Sequence, residues 1–481
     1  MHLRIPPSQS PLPIEDQTLH EARAEICSVR FRSDLPLLEE AWRIAQQDLY
    51  GNVAPYPWLN GQIRTPCLMA GEHYQDQPWT RDAAFNTWFA GAWCFPVLSR
   101  NTLLSVLIPD PAGGWQIGGQ RWDAVIWSEG LRQSLACDWQ AEMARCGALA
   151  LRNTLRDRFA QDWDSDDGLF RGGACFMDGI SGYPDEFAGG FLESGIEDWT
   201  TRFPEQAPSS GSAMPCKALS TNLLYLRSLQ TLEQLGGKLR LPLEAFPLEA
   251  DALRQAIRQR FLLPDGRLRY LVDVQDAEIY QEGLGWAFAV LFALLDKQET
   301  QRLLLHQRST PHGIPCLTPT MPRYRLHGMH ARHSGTVWPQ VNAAWGLACL
   351  KAGEIAMARL ELLSLAHKAV RDGNFAEIYR GDTGEITGGL QERKSLGTIG
   401  DWPPCFHQSW CATGYQGLLI QYLTGLMPSE SGLRLRPRLL PGQTHWKFEG
   451  LHWQGGTLDI EGWFADGRVR CSVNGEPCCA F

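Results

Sequence analysis

The chain has 481 residues, enough for two or three average domains or for one large helical unit. Its hydrophobic fraction of 44% supports a sizeable core, and a net charge of −9 with acids and bases interspersed leaves no basic face for nucleic acid. The fourteen cysteines are scattered, form no CxxC pair and lie in a chain too large to need disulfide staples. The N-terminal MHLRIPPSQSPLP has no apolar stretch of the signal-peptide kind. No run of about eighteen apolar residues suggests a membrane span. A reduced cytoplasmic protein is expected, without membrane or nucleic-acid partners; the oligomeric state is left open. Nineteen Trp against 11 Tyr raise the prospect of indoles stacking on a ring-shaped ligand, although most such indoles belong in a core.

Residues 1–30 read as a Pro-containing lead-in. From there to 427, helix-like segments recur near 36–48, 82–96, 99–107, 121–136, 138–160, 216–236, 247–262, 281–295, 298–307, 338–352, 353–370 and 408–425. Leu223, Leu226, Leu229, Leu232 and Leu235 show the three-residue apolar spacing of one helix face. Gly236-Gly237 and Gly425-Leu-Met-Pro428 read as helix stops. Twelve such segments suit six helical hairpins closed into an (α/α)6 barrel, with an inner layer buried in an outer one. From 428 to 481 the pattern changes to short alternating stretches between turns, such as Thr444–Phe448, Gly456–Gly462 and Arg468–Val473. About fifty residues of this kind suit a small β-rich appendage rather than an independent domain.

Polar and aromatic residues cluster in the stretches between the helices. ESGIEDWTTR, residues 193–202, packs Glu193, Glu197, Asp198, Trp199 and Arg202 into a run with no helical or strand period. Such a run is either a solvated loop or part of a pocket for a polyhydroxylated ligand, and only the pocket explains the indole. QPWTRD (77–82), GGQRWD (118–123), RHSGTVWP (332–339) and NFAEIYRGDTG (374–384) have the same character. No phosphate-cradling glycine loop and no GxSxG elbow is present.

ESGIEDWTTRF resembles the ESGxDxSxRW signature of trehalases and glycoside hydrolase family 63, with one residue inserted before the aspartate. NFAEIYRGDTG resembles the F-x-E-x-Y-x-P-x-T-G segment of the same families. WTRDAAFNTW, HSGTVWPQVNAAW and HQSWCATGY are similar to stretches of many six-hairpin glycosidases, the last to their final inner helix. The ordered set spans roughly residues 36–425. It implies an (α/α)6 barrel and an inverting, exo-acting hydrolase of a small α-glucoside or related glycoside, with no cofactor and no metal.

By position, the resemblance makes Asp198 the general acid and Glu377 the general base. Inversion needs one carboxylic acid to protonate the leaving oxygen and an opposite carboxylate, about 6.5–9.5 Å away, to activate water. Counting from Glu193 puts Glu197 in the acid's slot; counting back from TTRF puts Asp198 there. Glu392, in GGLQE, is the rival base. Trp79, Arg81 and Asp82 are expected to line the non-reducing sugar's subsite. Arg202 is expected to bond the sugar or orient Asp198, and Trp122 and Trp338 to stack on a ring. Asp123, Glu193, Trp199, Tyr379 and Trp410 complete the substrate-binding set. For any one of these Trp or Asp residues, a helix cap or a core position is an equally ordinary role.

Two further patterns carry less. DWDSDDG, residues 162–168, is similar to a calcium loop, but its glycine comes one place late and position twelve is Gly173. His327, His330 and His333 recur every third residue, yet Gly328 interrupts them and no HExxH pattern accompanies them. His330, His333 and His407 keep open a sugar epimerase or isomerase on the same barrel, where histidines would act as acid and base. A glycoside phosphorylase and a non-catalytic sugar-binding barrel are the other readings. The prolines at 311, 315, 319 and 322 are expected to stiffen a loop that caps a narrow pocket.

Overall fold

A computed structural model describes residues 11–58, 63–188, 195–196, 216–241, 247–274, 277–325, 327–328, 330–393, 397–429 and 432–478. The chain is mostly helical and ends in a β-sheet region. The main helices are α1 (Leu19–Ile26), α2 (Pro36–Gly51), α3 (Thr80–Asn86), α4 (Pro96–Ser105), α5 (Trp127–Cys137), α6 (Ala141–Asp162), α7 (Leu219–Leu239), α8 (Ala250–Phe261), α9 (Gly283–Leu291), α10 (Lys297–Leu305), α11 (Pro339–Ala352), α12 (Ile355–Asp372) and α13 (Ser409–Thr424). Each segment expected to be helical contains a helix.

Helix ends follow local chemistry. Thr18 and Glu21 form a reciprocal capping box on α1, and Asp296 and Glu299 do the same on α10. Gly353, Gly373 and Gly425 end α11, α12 and α13 in the left-handed conformation. The stop expected at Gly236-Gly237 does not occur. Helix α7 continues to Leu239 and ends at Arg240, whose φ is 50°. Leu235 and Gly236 are both buried there, so packing outweighs the low helix propensity of the glycines.

The helices fall into two kinds. In α8 the buried residues are Ala250, Leu253, Ile257 and Phe261, one stripe on an otherwise solvated helix. In α13 every residue except Gln421 is buried, and in α9 every residue except Leu291. A helix apolar on all sides needs neighbours on all sides. Packing accordingly runs from α3 to α5, α7, α9, α11 and α13, and from α13 back to α3. Helices α6 and α8 pack on α7, α10 and α12 on α11, and α2 on α12 and α13. Gly417 permits the closest approach in this layer, since a Cβ there would lie 2.3 Å from the Phe89 carbonyl oxygen.

The C-terminal region forms an antiparallel five-stranded sheet in the order β1 (Arg30–Ser33), β2 (His445–Trp453), β3 (Gly456–Ala465), β4 (Arg468–Val473) and β5 (Glu476–Cys478). Its hairpins turn through Gln454-Gly455, Asp466-Gly467 and Asn474-Gly475, all at positive φ, as two-residue primed turns require. The first strand comes from the other end of the chain, with Phe31 opposite Phe448. The segment read as a lead-in thus contributes α1 and the start of this sheet. Phe31, Trp42 and Phe448 pack with centroids 4.6–5.7 Å apart, and Trp93 stacks on Trp453 at 5.8 Å. These contacts bind the sheet to α2 and to the helical body.

Candidate active site

The N-termini of α3, α11 and α13 open onto one cavity. Trp79 is the N-cap of α3, Trp338 that of α11 and Gln408 that of α13. Short ladders place neighbouring segments before these helices; Thr336–Val337 pairs with Tyr379–Arg380, on the stretch that carries Glu377. Among the described residues the cavity, of about 190 Å³, is walled by Ala70, Tyr74, Trp79, Arg81, Asp82, Phe176, Asp178, Arg332, Trp338, Glu377, Gln408 and Trp410. It is small, polar and aromatic, sized for a single sugar ring.

Glu377 is buried, and its Oε2 accepts a hydrogen bond from Arg332 Nη2 at 2.9 Å. Arg332 also donates through Nη1 to the Gly388 carbonyl at 3.0 Å. Burial lowers the affinity of the Arg332 guanidinium for its proton, but Glu377, Tyr74 and Asp178 outweigh it and hold the group above its usual range. Tyr74 stays neutral, because the Glu377 charge and its own burial raise its phenol.

Arg81 lies across the cavity from the side of α3. It pairs with Asp178 at 3.1 Å and Asp123 at 3.7 Å and donates to Gln120. Burial works against ionisation of Asp178, yet Arg81, His333, Gln120 and Arg332 together hold its carboxyl below the usual range. The Asp178 side chain keeps 35% of its surface exposed, so it is a fixed anion open to the cavity. Asp82 differs. Burial pushes its carboxyl up to about 8, with Arg81 opposing the rise and the Glu377 and Asp123 charges adding to it. Its Oδ1 accepts from Gln408 Nε2 at 3.3 Å.

The indoles provide the flat surfaces. Trp338 donates Nε1–H to the Arg332 carbonyl at 2.8 Å and stacks on His333 at 5.1 Å. Trp410 crosses it edge-on at 6.3 Å. The Nε1 atoms of Trp79 and Trp410 find no hydrogen-bond partner among the described residues. Buried indole N–H groups ordinarily have an acceptor, and in this cavity a ligand hydroxyl would serve.

Of the residues singled out in the sequence, Trp79, Arg81, Asp82, Trp338, Glu377 and Trp410 meet at this cavity. Glu193, Glu197, Asp198, Trp199 and Arg202 lie outside the described residues. Ile196, immediately before Glu197, donates its N–H to the Asp178 carbonyl at 2.9 Å. Asp123 is buried one layer back, paired with Arg81 and accepting the Phe176 N–H at 3.2 Å.

Besides Asp123, two further expected site residues stand away from the cavity. Trp122 is a core residue with 4% exposure, its Nε1–H donated to the Ala174 carbonyl and its Cβ against Gly172. Tyr379 is 1% exposed and packs with Val337 and Ala376, its hydroxyl accepting the Ala376 N–H. Neither lines the cavity. Tyr74, Phe176, Asp178, Arg332 and Gln408 were not named as site residues. Arg332 stands inside a stretch already noted for its polar-aromatic character and Gln408 inside one noted for its family resemblance, whereas Phe-Met-Asp178 has no such pattern.

The other candidates have structural duties. Glu392 is held by Arg323 at 2.7 Å and by the Tyr324 hydroxyl. The acidic run at 162–168 is paired with cations: Lys217 pairs with Asp164, Asp167 and Asp273, and Arg121 with Asp162. No cluster fit to hold a metal occurs among the described residues.

Residues 203–397 match the family model of the mannosylglycerate hydrolase MGH1-like glycoside hydrolase domain. Over that stretch the chain is similar to a glycoside hydrolase domain. The family resemblance read from the motifs is thus borne out. Comparison with curated proteins gives no match. Among solved structures, this chain is similar to a GH63 mannosylglycerate hydrolase from Thermus thermophilus, with 14% identity and a TM-score of 0.54 over 80% of this chain and 100% of that one. A sialidase superposes with a TM-score of 0.68 at 12% identity over 97% of this chain, and a GH78 rhamnosidase from Bacillus sp. GL1 with 0.59 at 14% over 93%. The chain spans 42% of that sialidase and 41% of that rhamnosidase. At these identities the shared property is the fold.

Proposed function

We propose that the chain is an inverting, exo-acting α-glycosidase that hydrolyses a small α-glucoside or related glycoside on an (α/α)6 barrel. The return of helix packing from α13 to α3 supports the barrel. The observation that carries the reaction is Glu377, a carboxylate on a sugar-sized cavity, clamped by Arg332 at 2.9 Å and surrounded by Trp79, Trp338 and Trp410.

In this reading a sugar ring lies against the indoles, with hydroxyls donated to the Asp178 carboxylate. Arg332 occupies Glu377 Oε2, and Glu377 takes a proton from a water that attacks the anomeric carbon. Asp198 protonates the departing oxygen. The hydrogen bond from the Ile196 N–H to the Asp178 carbonyl supports an acid from this stretch, because it ties the residue just before Glu197 and Asp198 to the cavity wall. Bond formation and cleavage on opposite faces yield the β-anomer from an α-linked substrate.

An epimerase is the weaker reading. No histidine lines the cavity among the described residues, and His333 stands behind Trp338 with burial holding its imidazole down to about 3. A phosphorylase would need a free cationic site, whereas the two arginines that line the cavity among the described residues, Arg81 and Arg332, are both paired with carboxylates.

The test is a substrate panel of α-glucosides, α-mannosides, trehalose, mannosylglycerate and α-L-rhamnosides, with product anomers followed by NMR. Early appearance of the β-anomer from an α-D-linked substrate supports inversion, and early α-anomer overturns it. Turnover strictly dependent on phosphate selects the phosphorylase. Sugar binding without turnover across the panel selects a binding protein.

A further inference from the structure

Asp48, on the outer helix α2 and behind the cavity wall, joins two segments that carry cavity residues. Its Oδ2 accepts the backbone N–H of Phe375 at 2.7 Å, and its Oδ1 lies 2.7 Å from His407 Nδ1. Phe375 is two residues before Glu377, and His407 immediately precedes Gln408. The two segments run side by side. Gln408 N–H donates to the Phe375 carbonyl at 2.8 Å and Glu377 N–H to the Cys405 carbonyl at 2.9 Å. Gln408 in turn bonds Asp82.

One helical turn along α2, Asn52 acts on the same loop. Its Nδ2 donates to the His407 carbonyl at 2.6 Å and to Ser409 Oγ at 2.9 Å. His407 has φ 53°, a conformation costly for a residue with a Cβ. It persists because its carbonyl is held by Asn52 and its ring by Asp48. That turn sends His407 outward to a surface groove while Gln408 faces the cavity.

Asp48 is 3% exposed, so its carboxylate is retained at a desolvation cost. Both oxygens are occupied by these two segments. A carboxylate needed only to satisfy α2 would not reach across to residues more than three hundred positions away.

We propose that Asp48 is a positioning residue for the catalytic base: it fixes the 375–377 and 405–408 segments against each other and so sets the placement of Glu377 and of the Gln408–Asp82 contact. The inference rests on the glycosidase reading for its effect on rate, but not for its effect on the two segments.

The test compares the full-length wild type with Asp48→Ala, Asp48→Asn and His407→Gly. Amide exchange reads the segments directly. Asp48→Ala is expected to accelerate exchange at Phe375 and Glu377 by about tenfold or more, with the exchange of α9 unchanged. On a cleaved glycoside, kcat is expected to fall about tenfold or more while KM moves by less than about threefold, and Asp48→Asn, which keeps an acceptor for the Phe375 N–H, is expected to restore most of the loss. His407→Gly tolerates the positive φ and is expected to disturb Gln408 without loosening Phe375. It therefore serves where Asp48→Ala fails to fold: faster exchange at 405–408 with a lower kcat then supports the proposal. Unchanged exchange at both segments overturns it, as does a rate loss matched by an equal change in KM. If the wild type cleaves no glycoside, the glycosidase reading falls, and amide exchange still decides whether Asp48 sets the two segments.

Discussion

Arg332 Nη2 lies 2.9 Å from Glu377 Oε2, and the same guanidinium donates to the Gly388 carbonyl at 3.0 Å. The cation that orients the proposed base is itself held from behind. Gly389, at φ 76°, lets its chain pass so close to Arg332 that a Cβ there would lie 2.4 Å from the Arg332 Cα. A carboxylate fixed in this way needs little reorganisation when it takes a proton from water.

Replacing Glu377 with Gln keeps the shape and one acceptor for Arg332 but removes the base. The expected outcome is a fall in kcat of about 10²- to 10⁴-fold, with sugar affinity largely preserved. Steady-state kinetics, together with quenching of the cavity tryptophans by a bound sugar, check both halves.

Arg332→Met leaves Glu377 buried without its cation. Removing one partner of a buried pair typically costs about 3–5 kcal/mol, and urea unfolding is expected to show a loss of that order. The double variant Arg332→Met with Glu377→Gln is expected to recover part of it, because no buried charge is then left alone.

Asp198→Asn and Glu197→Gln separate the two candidate acids. The variant that loses the acid is expected to be severely slowed on an alkyl glycoside yet much less so on a glycoside with a dinitrophenolate leaving group, which departs without a proton. Finding this pattern at Glu197 instead of Asp198 would move the acid by one residue.

Asp82 predicts a pH-dependent stability. Its carboxyl is pushed up to about 8 by burial, against about 3.9 for an unfolded aspartic acid. Between those values the folded chain holds a proton that the unfolded chain has lost. Stability therefore falls as pH rises, by at most about 1.4 kcal/mol per pH unit from this group, and levels off above about 8. Asp82→Asn lacks this contribution, so its stability relative to wild type is expected to climb between about pH 5 and pH 8 in urea titrations.

Much of the helical architecture was legible because apolar spacing and end signals are local. Leu253, Ile257 and Phe261 mark α8 at four-residue intervals, and Gly425 ends α13 as its position suggested. The site was legible where a motif stands at a helix start. Trp79-Thr-Arg-Asp82 opens α3, Trp338 caps α11 and Trp410 lies in the first turn of α13, so their side chains share one cavity. Trp122 and Tyr379 belong to equally polar-aromatic runs but turn into the core, and nothing within either run signals that direction. Asp178 gave no signal at all, because its partners are Arg81, Gln120 and His333 from distant segments.

By itself, the amino-acid order determined the helices, the glycosidase resemblance and the choice of Glu377 as the candidate base, since each depends on residues close together in the chain. Tertiary structure alone decided that Arg30–Ser33 joins a sheet built from residues 445–478, that Arg332 clamps Glu377, and that Asp48 meets His407 across 359 positions. The reason is physical. A strand edge, a buried carboxylate and an indole N–H each accept any suitable partner, and only the packing of the whole chain selects which one arrives.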